Sequence, residues 1–199
     1  MEKNIRSARV SDAGAVRDIY GPSVSDSAAS FEVVVPDTAE IERRILDLGG
    51  RYPWLVFEGD GNVLGYAYAS PHRTRWAYRW SVDVSAYTRS GMRGRGIGRA
   101  LYHALFDLLR RQGYVNAYAG ITLPNAASVR LHEALGFTPV GTYSRIGFKF
   151  GSWHDVAWYE LRLRDDPVPV PELVPAKLLL GEGGNAALLR EYAQMVRLE

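Results

Sequence analysis

Residues 90–114 read SGMRGRGIGRALYHALFDLLRRQGY, and the fold turns on what the first part of this stretch is built to hold. Three glycines and three arginines share the seven positions from Arg93 to Arg99, and an apolar-periodic run follows. Glycines at 94, 96 and 98 do not satisfy G-x-G-x-x-G, and no Gly-Lys-Ser/Thr follows, so the dinucleotide and P-loop readings fail on spacing. What remains is a strand ending near Thr88, a loop of small residues with outward cations, and a helix from about Ile97. Such a junction aims free backbone N–H groups and the positive end of a helix dipole outward. Glycine lets phosphate oxygens approach the main chain, while Arg93, Arg95 and Arg99 add charge-assisted contacts at the rim. Cations at a helix start oppose the dipole, so a loop without a ligand would more naturally carry Asp or Glu. The stretch reads as an anion seat suited to a pyrophosphate.

Upstream, KNIRSARV predicts a short strand. Ser11 or Asp12 then caps a helix carrying Ala15 and Ile19 until Pro22 breaks it. SFEVVV is expected to be extended. In PDTAEIERRILDLGG, Asp37 and Glu40 have capping-box spacing, Ile41, Ile45 and Leu48 fall on one face, and Gly49-Gly50 stops the helix. PWLVFEG and NVLGYAYAS flank Asp60-Gly61 and predict an antiparallel hairpin. A third strand, YRWSVDVSAYT, leads into the glycine-rich loop. Beyond it follow a helix over 97–112, the strand NAYAGITL, a helix from Asn125 to Leu135, and two β-rich stretches, FTPVGTYSRIGFKFG and SWHDVAWYELRL. Hairpins first and βαβα later predict an α/β fold, a mixed, mostly antiparallel central sheet flanked by helices.

The organisation expected is a domain over 1–164, a Pro-rich linker over 165–176 and a C-terminal tail over 177–199. RDDPVPVPELVP lacks the amides of a central strand and reads as extended and polyproline-like. GNAALLREYAQMVRLE predicts a short helix capped by Asn185, with Leu188, Leu189, Tyr192 and Val196 along one side, docking on its own domain or a neighbouring subunit.

Composition narrows the classes. The 199 residues are 47% apolar, enough for a sizeable core, and 24 Lys and Arg against 22 Asp and Glu leave no basic face suited to nucleic acid. The absence of cysteine excludes disulfides, thiolate metal ligands and a thiol nucleophile. Four scattered His without ligand spacing predict no metal site. No apolar run reaches membrane-spanning length and the start lacks a signal core, so a cytoplasmic protein is expected.

Arg93-x-x-Gly96-x-Gly98 between strand and helix resembles the coenzyme A pyrophosphate loop of the GNAT acyltransferases. LPNAASVRLHEALGF resembles the GNAT segment in which Asn and Ser at a helix start face the pantetheine arm, here Asn125 and Ser128. Within that superfamily AYRWSVDVSAY, AYAGITLPNAASVRLHEALGF and GFKFGSWHDVAWYEL resemble the phosphinothricin (methionine sulfoximine) N-acetyltransferase family, over about residues 3–163. The resemblance implies a GNAT fold, acetyl-CoA as cosubstrate and a homodimer. The coenzyme A contacts expected are Tyr87, Thr88, Arg93, Gly94, Arg95, Gly96, Ile97, Gly98, Asn125 and Ser128.

Acetyl transfer to an amine needs an unprotonated amine, a donor to the developing oxyanion and a proton for the leaving thiolate if it is not expelled as the anion. Alternation along SVDVSAY puts Val82 and Val84 on one face and Ser81, Asp83 and Ser85 on the other, so Asp83 projects into a polar groove as the candidate base. The resembled family usually carries Glu there. The missing methylene draws the carboxylate back by about 1.5 Å, which favours relay through water over direct abstraction. His132 lies where many GNAT enzymes carry a Tyr proposed as general acid, and the resemblance makes it the second catalytic candidate. His154 and Asp155 read as a structural polar pair. In PHRTRWAY, Arg73 and Arg75 lie two apart and would grip a carboxylate and a second anionic group, with Tyr78 beside them and Phe31 as a wall; the resembled family binds its amino-acid substrate here.

The reading is an acetyl-CoA-dependent N-acetyltransferase acting on the α-amine of a small amino-acid analogue such as phosphinothricin, methionine sulfoximine or methionine sulfone, by direct transfer in a ternary complex. Two alternatives stand beside it: the same chemistry on another amine, or a coenzyme A-binding module with impaired catalysis.

Overall fold

The computed structural model describes residues 2–165, 167–181 and 184–198. Its strands are β1 (Lys3–Ser7), β2 (Trp54–Gly59), β3 (Asn62–Pro71), β4 (Ser81–Thr88), β5 (Asn116–Thr122), β6 (Thr138–Lys149) and β7 (Ser152–Arg162). They form one sheet in the order β1-β2-β3-β4-β5-β7-β6. Every neighbouring pair is antiparallel except β4 and β5. The helices are α1 (Ala13–Ser25), α2 (Thr38–Gly49), α3 (Ile97–Gln112), α4 (Ala126–Ala134), α5 (Ala176–Leu179) and α6 (Ala186–Gln194).

Side-chain alternation divides this sheet into two cores. On one face Ala67, Ala69, Val82 and Val84 are buried with Ile97, Ala100, Leu101, Ala104, Leu105 and Leu108 of α3. Each buried Leu or Ile there contributes about 1.5–3 kcal/mol. The helix approaches so closely that a Cβ at Gly65 would lie 2.7 Å from Ile97 Cγ2. On the other face Val16, Ile19 and Tyr20 of α1 and Ile41 and Ile45 of α2 enclose Trp54, Val56 and Tyr66. Ser70 stands opposite Asp83, Tyr68 opposite Ser85 and Tyr66 opposite Tyr87, so these six side chains share the α1/α2 face.

Local signals position α2 and the hairpin as expected. Asp37 caps α2 by accepting from the Glu40 amide at 2.8 Å, and β2 and β3 pair around Asp60-Gly61. Three expectations are corrected. The helix α1 does not stop at Pro22 but runs to Ser25. The buried Val24 holds this last turn, and its carbonyl accepts from Lys149 at 2.7 Å, so tertiary contacts override the local break. Residues 31–36 form no strand; they carry bends, with Val33 and Val34 exposed. Asp12 does stand at the start of α1, but its carboxylate takes the Arg6 guanidinium at 2.7 and 2.9 Å rather than capping the helix.

The C-terminal part folds back over the α3 side. Trp80 Nε1 donates to the Pro171 carbonyl at 2.8 Å, and Gln112 Nε2 donates to those of Val174 (2.7 Å) and Arg51 (2.8 Å), so the Pro-rich segment lies on the domain. Leu189, Ala193, Val196 and Leu198 join the α3 core. Asn185 precedes α6 but does not cap it; its amide donates to the Leu179 carbonyl at 2.9 Å. Among the described residues no helix is long and apolar enough to cross a membrane.

Candidate active site

The parallel pairing of β4 with β5 is short. Ser81, Val82 and Asp83 pair with Asn116, Ala117 and Tyr118, while β4 continues to Thr88 and β5 to Thr122 without pairing to each other. The strands therefore diverge just after Asp83, and each leads through a loop into a helix start, α3 from β4 and α4 from β5.

At the point of divergence His72 Nδ1 lies 2.6 Å from Asp83 Oδ1. His72 immediately follows β3, and its ring stacks on Tyr118 with centroids 4.4 Å apart and planes 23° apart. Trp158 and Tyr78 meet the same ring edge-on, at 6.0 and 6.3 Å. Burial raises the Asp83 carboxyl above its ordinary value, and the His72 bond and the Arg73 charge oppose that rise. A cavity of about 240 Å³ opens beside the pair, lined by His72, Arg73, Tyr118, Val140, Gly141, Thr142, Tyr143 and Trp158. Trp158 Nε1 is buried without a hydrogen-bond partner among the described residues. A second cavity of about 210 Å³, lined by Tyr20, Ile41, Arg44, Leu48, Trp54, Tyr66, Tyr68 and Ser70, lies on the same face of the sheet.

The expected substrate residues separate. Arg73 lines the first cavity, donates to the His72 carbonyl at 2.9 Å and stands 5.9 Å from the Trp158 ring. Tyr78, half exposed, flanks His72. Arg75 is exposed at the start of the 3-10 turn Trp76–Tyr78 and does not line the cavity. Phe31 packs over Gly147, where a Cβ would strike its ring at 2.1 Å, and neighbours His154 at 6.3 Å. Lys149 beside it is buried, donating to the carbonyls of Val24 (2.7 Å), Ser27 (3.0 Å) and Ser30 (2.7 Å). His154 and Asp155 do not pair: His154 Nε2 contacts the Lys149 carbonyl at 3.0 Å and Asp155 accepts from the Arg145 amide at 2.7 Å.

The glycine-rich loop fits an anion. Gly94 and Gly96 adopt φ of +78° and +87°, open to glycine and rarely to other residues. With Gly96 capping α3, the first-turn amides beginning at Ile97 have no partner within the helix. A Cβ at Gly98 would lie 3.5 Å from Leu131 of α4 and 3.9 Å from Thr88 Oγ1, so β4 and both helices converge here. Arg93 and Arg99 are exposed. Arg95 is half-buried, donates to the Leu198 carbonyl and accepts from the Arg197 amide at 3.0 Å through its own carbonyl. The Ile97 side chain is core, 1% exposed, leaving only its main chain to a ligand. Tyr87 packs against Tyr20 and Tyr66, at 5.1 and 5.2 Å, on the Asp83 face. Asn125 caps α4 by accepting from the Ser128 amide at 3.1 Å.

His132 lies away from the Asp83 pair. Among the described residues its hydrogen-bond and ring partners are Tyr102, Ser128 and Phe137, not Asp83, His72 or the cavity lining. Its Nδ1 is 2.8 Å from the Ser128 carbonyl, which can only accept, so Nδ1 carries the proton and Nε2 accepts from the Tyr102 hydroxyl at 3.1 Å. The ring is 5% exposed against Phe137 and Tyr102. Among the described residues no group of three or more His, Asp and Glu could hold a metal.

Residues His72, Tyr118 and Trp158 are the site members that sequence reasoning missed. His72 lies in PHRTRWAY, a loop read for its arginines, and a basic ring eleven positions before a strand carboxylate was the available signal. Tyr118 and Trp158 reach the site through register between strands distant in the chain.

Residues 5–158 match the model of the GNAT acetyltransferase domain. The chain is 40% identical to phosphinothricin N-acetyltransferase of Streptomyces viridochromogenes over 167 residues, covering 84% of this chain and 90% of the relative. It is 39% identical to the L-methionine sulfoximine/L-methionine sulfone acetyltransferase of Salmonella typhimurium, covering 83% and 97%. The protein YncA from Salmonella typhimurium, solved with its cofactor acetyl-CoA, superposes with a TM-score of 0.80 at 36% identity, covering 84% of this chain and 97% of the other. Splayed strands, a glycine-rich anion loop and these relatives agree: the chain belongs to the GNAT acetyltransferase family and is an acetyl-CoA-dependent N-acetyltransferase.

Proposed function

We propose that this enzyme, working in the cytoplasm, moves the acetyl group of acetyl-CoA directly to the α-amine of a small amino-acid analogue, with phosphinothricin, methionine sulfoximine and methionine sulfone as its acceptors. The observation that carries the reading is the cavity beside Asp83, which joins one cation, Arg73, to a wall of Tyr118, Tyr143 and Trp158. Its 240 Å³ suits a small ligand, below the span of about 300–1,000 Å³ typical of drug-sized sites. Arg73 pairs with the substrate carboxylate, and its charge opposes a polyamine. The Trp158 ring walls the cavity beside Arg73 and packs the apolar part of the acceptor.

The cosubstrate supplies an activated acetyl carbon. The amides at the start of α3, with Arg93 and Arg99 at the rim, hold its pyrophosphate. Thr88, Asn125 and Ser128 line the gap between β4 and β5 along which its arm extends. Asp83 drives removal of the ammonium proton so that the neutral amine can attack. The chain contains no cysteine to carry the acetyl group as a thioester, which supports transfer within a ternary complex. His132 secures α4, and with it Asn125 and Ser128, to Tyr102 of α3. Exposed apolar side chains along β6 and β7, among them Tyr143, Ile146, Phe148 and Trp153, support a homodimer, which sedimentation velocity tests.

The test is thiol release from acetyl-CoA on addition of phosphinothricin, methionine sulfoximine, methionine sulfone or spermidine. Release with the amino-acid analogues and not with spermidine is expected. Release with spermidine alone overturns the role of Arg73, and acetyl-CoA binding without turnover on any amine returns the reading to a binding module.

A further inference from the structure

We infer that the proton acceptor of the reaction is His72, with Asp83 behind it as the positioning carboxylate, so that the two form an Asp–His pair in place of a single longer acid. The inference rests on the N-acetyltransferase reading above and names the group that carries its proton.

Three observations carry it. His72 lines the cavity, whereas Asp83 does not. The 2.6 Å bond between Nδ1 and Oδ1 engages the inner nitrogen of the ring, and among the described residues Nε2 has no hydrogen-bond partner, leaving it as the free basic atom. The ring is held against rotation by Tyr118 stacked at 4.4 Å and by Trp158 and Tyr78 edge-on, so its outer nitrogen has a defined position. A carboxylate that can only accept requires Nδ1 to carry the proton, which leaves a lone pair on Nε2. The side chain of Asp83 is one methylene shorter than Glu, and an imidazole interposed between it and the cavity more than restores the lost reach.

The acceptor arrives as an ammonium ion; one proton passes to Nε2, and the freed lone pair forms the C–N bond at the acetyl carbon. The C–S bond then breaks with its electron pair on sulfur, and the second proton lost by the nitrogen ends on the thiol. The imidazolium, stabilised by Asp83, releases its proton to solvent before the next turnover. Titratable and charged groups facing the ring are Asp83 from β4, Tyr118 from β5, Tyr78 from the 3-10 turn and Arg73 from the loop itself.

The experiment compares the wild-type enzyme with His72→Phe, which keeps a ring for the stack, His72→Gln, and the double variant His72→Phe/Asp83→Glu. With methionine sulfone as acceptor, both single variants are expected to lose about 100-fold or more in kcat, with acetyl-CoA affinity by calorimetry unchanged. The pH profile of kcat is expected to differ from that of the wild type in both. The double variant, whose longer carboxylate reaches the cavity directly, is expected to recover part of the loss. A kcat within about threefold of wild type in either single variant overturns the inference while leaving the acetyltransferase reading intact. Nitrogen-15 spectra of His72 decide the matter without turnover: a proton on Nδ1 at neutral pH supports the pair, and a proton on Nε2 overturns it. Silence of the wild type with every amino-acid analogue counts against the acceptor reading alone, and the tautomer then decides for or against the pair.

Discussion

The Arg95 guanidinium donates to the Leu198 carbonyl, tying the end of the chain to the loop that precedes α3. The Arg197 amide returns a bond to the Arg95 carbonyl at 3.0 Å, and Leu198 is buried, so the contact is anchored from both sides. The three loop arginines therefore divide by role. Replacing exposed Arg93 or Arg99 by Ala is expected to weaken acetyl-CoA binding about 10-fold, the worth of one charge-assisted bond, with melting temperature unchanged. Replacing Arg95 by Ala is expected to remove about 1–2 kcal/mol and lower Tm by about 3–6 °C. Calorimetric titration and thermal melts of the three variants check this; a stable Arg95→Ala protein would show that the tie contributes nothing.

Lys149 holds the last turn of α1 and the segment after it against the end of β6 through three carbonyls that face little water. Lys149→Met keeps most of the stem and leaves those acceptors without their donor. A loss of about 3 kcal/mol is expected, together with faster proteolytic cleavage near residues 26–36. Denaturant midpoint and digestion rate read the two effects, and an unaltered midpoint refutes the anchoring role.

Features with a local cause were legible in the sequence: the Asp37 cap, the Asp60-Gly61 hairpin, the apolar stripe of α3 and the alternation that sets Asp83 opposite Val82 and Val84. Features that depend on contacts distant in the chain were not. Pro22 is overridden by the burial of Val24, and the Arg73-Arg75 pair is divided by the 3-10 turn that begins after Arg75. The meeting of His72 with Asp83 depends on how β3 ends beside β4, and Tyr118 joins them only through the parallel register of β4 and β5. Arg95 read as a rim cation because nothing near it in the chain reveals Leu198, 103 positions away. Period and capping carry no information of that range.

Arg73 and Arg75 should now behave differently. Arg73 lines the cavity and stands over Trp158, while Arg75 is exposed outside it. With acetyl-CoA saturating, Arg73→Ala is expected to raise the amino-acid KM by about 10- to 100-fold, the loss of a charge-assisted pair, whereas Arg75→Ala changes it by less than about threefold. Equal effects from the two variants would mean that the loop closes to bring both guanidinium groups onto the substrate.

His132 should make stability depend on pH in one direction. Burial lowers its pKa below the usual imidazole value, only partly countered by the bond to the Ser128 carbonyl. The unfolded chain, with an imidazole pKa of about 6.5, binds a proton below that pH while the folded protein resists it. The contribution is therefore fully present above about pH 6.5 and is lost as pH falls toward the lowered folded value. Melting temperature is expected to be level above neutrality with respect to this group and to decline on acidification, and His132→Gln should flatten that part of the decline. Tyr102→Phe removes the hydroxyl that donates to Nε2 and is expected to cost about 1 kcal/mol at pH 8. If His132→Gln leaves the acid limb of the melting profile unchanged, another group governs it; if it abolishes thiol release with the fold intact, His132 acts in the chemistry as well as in holding α4.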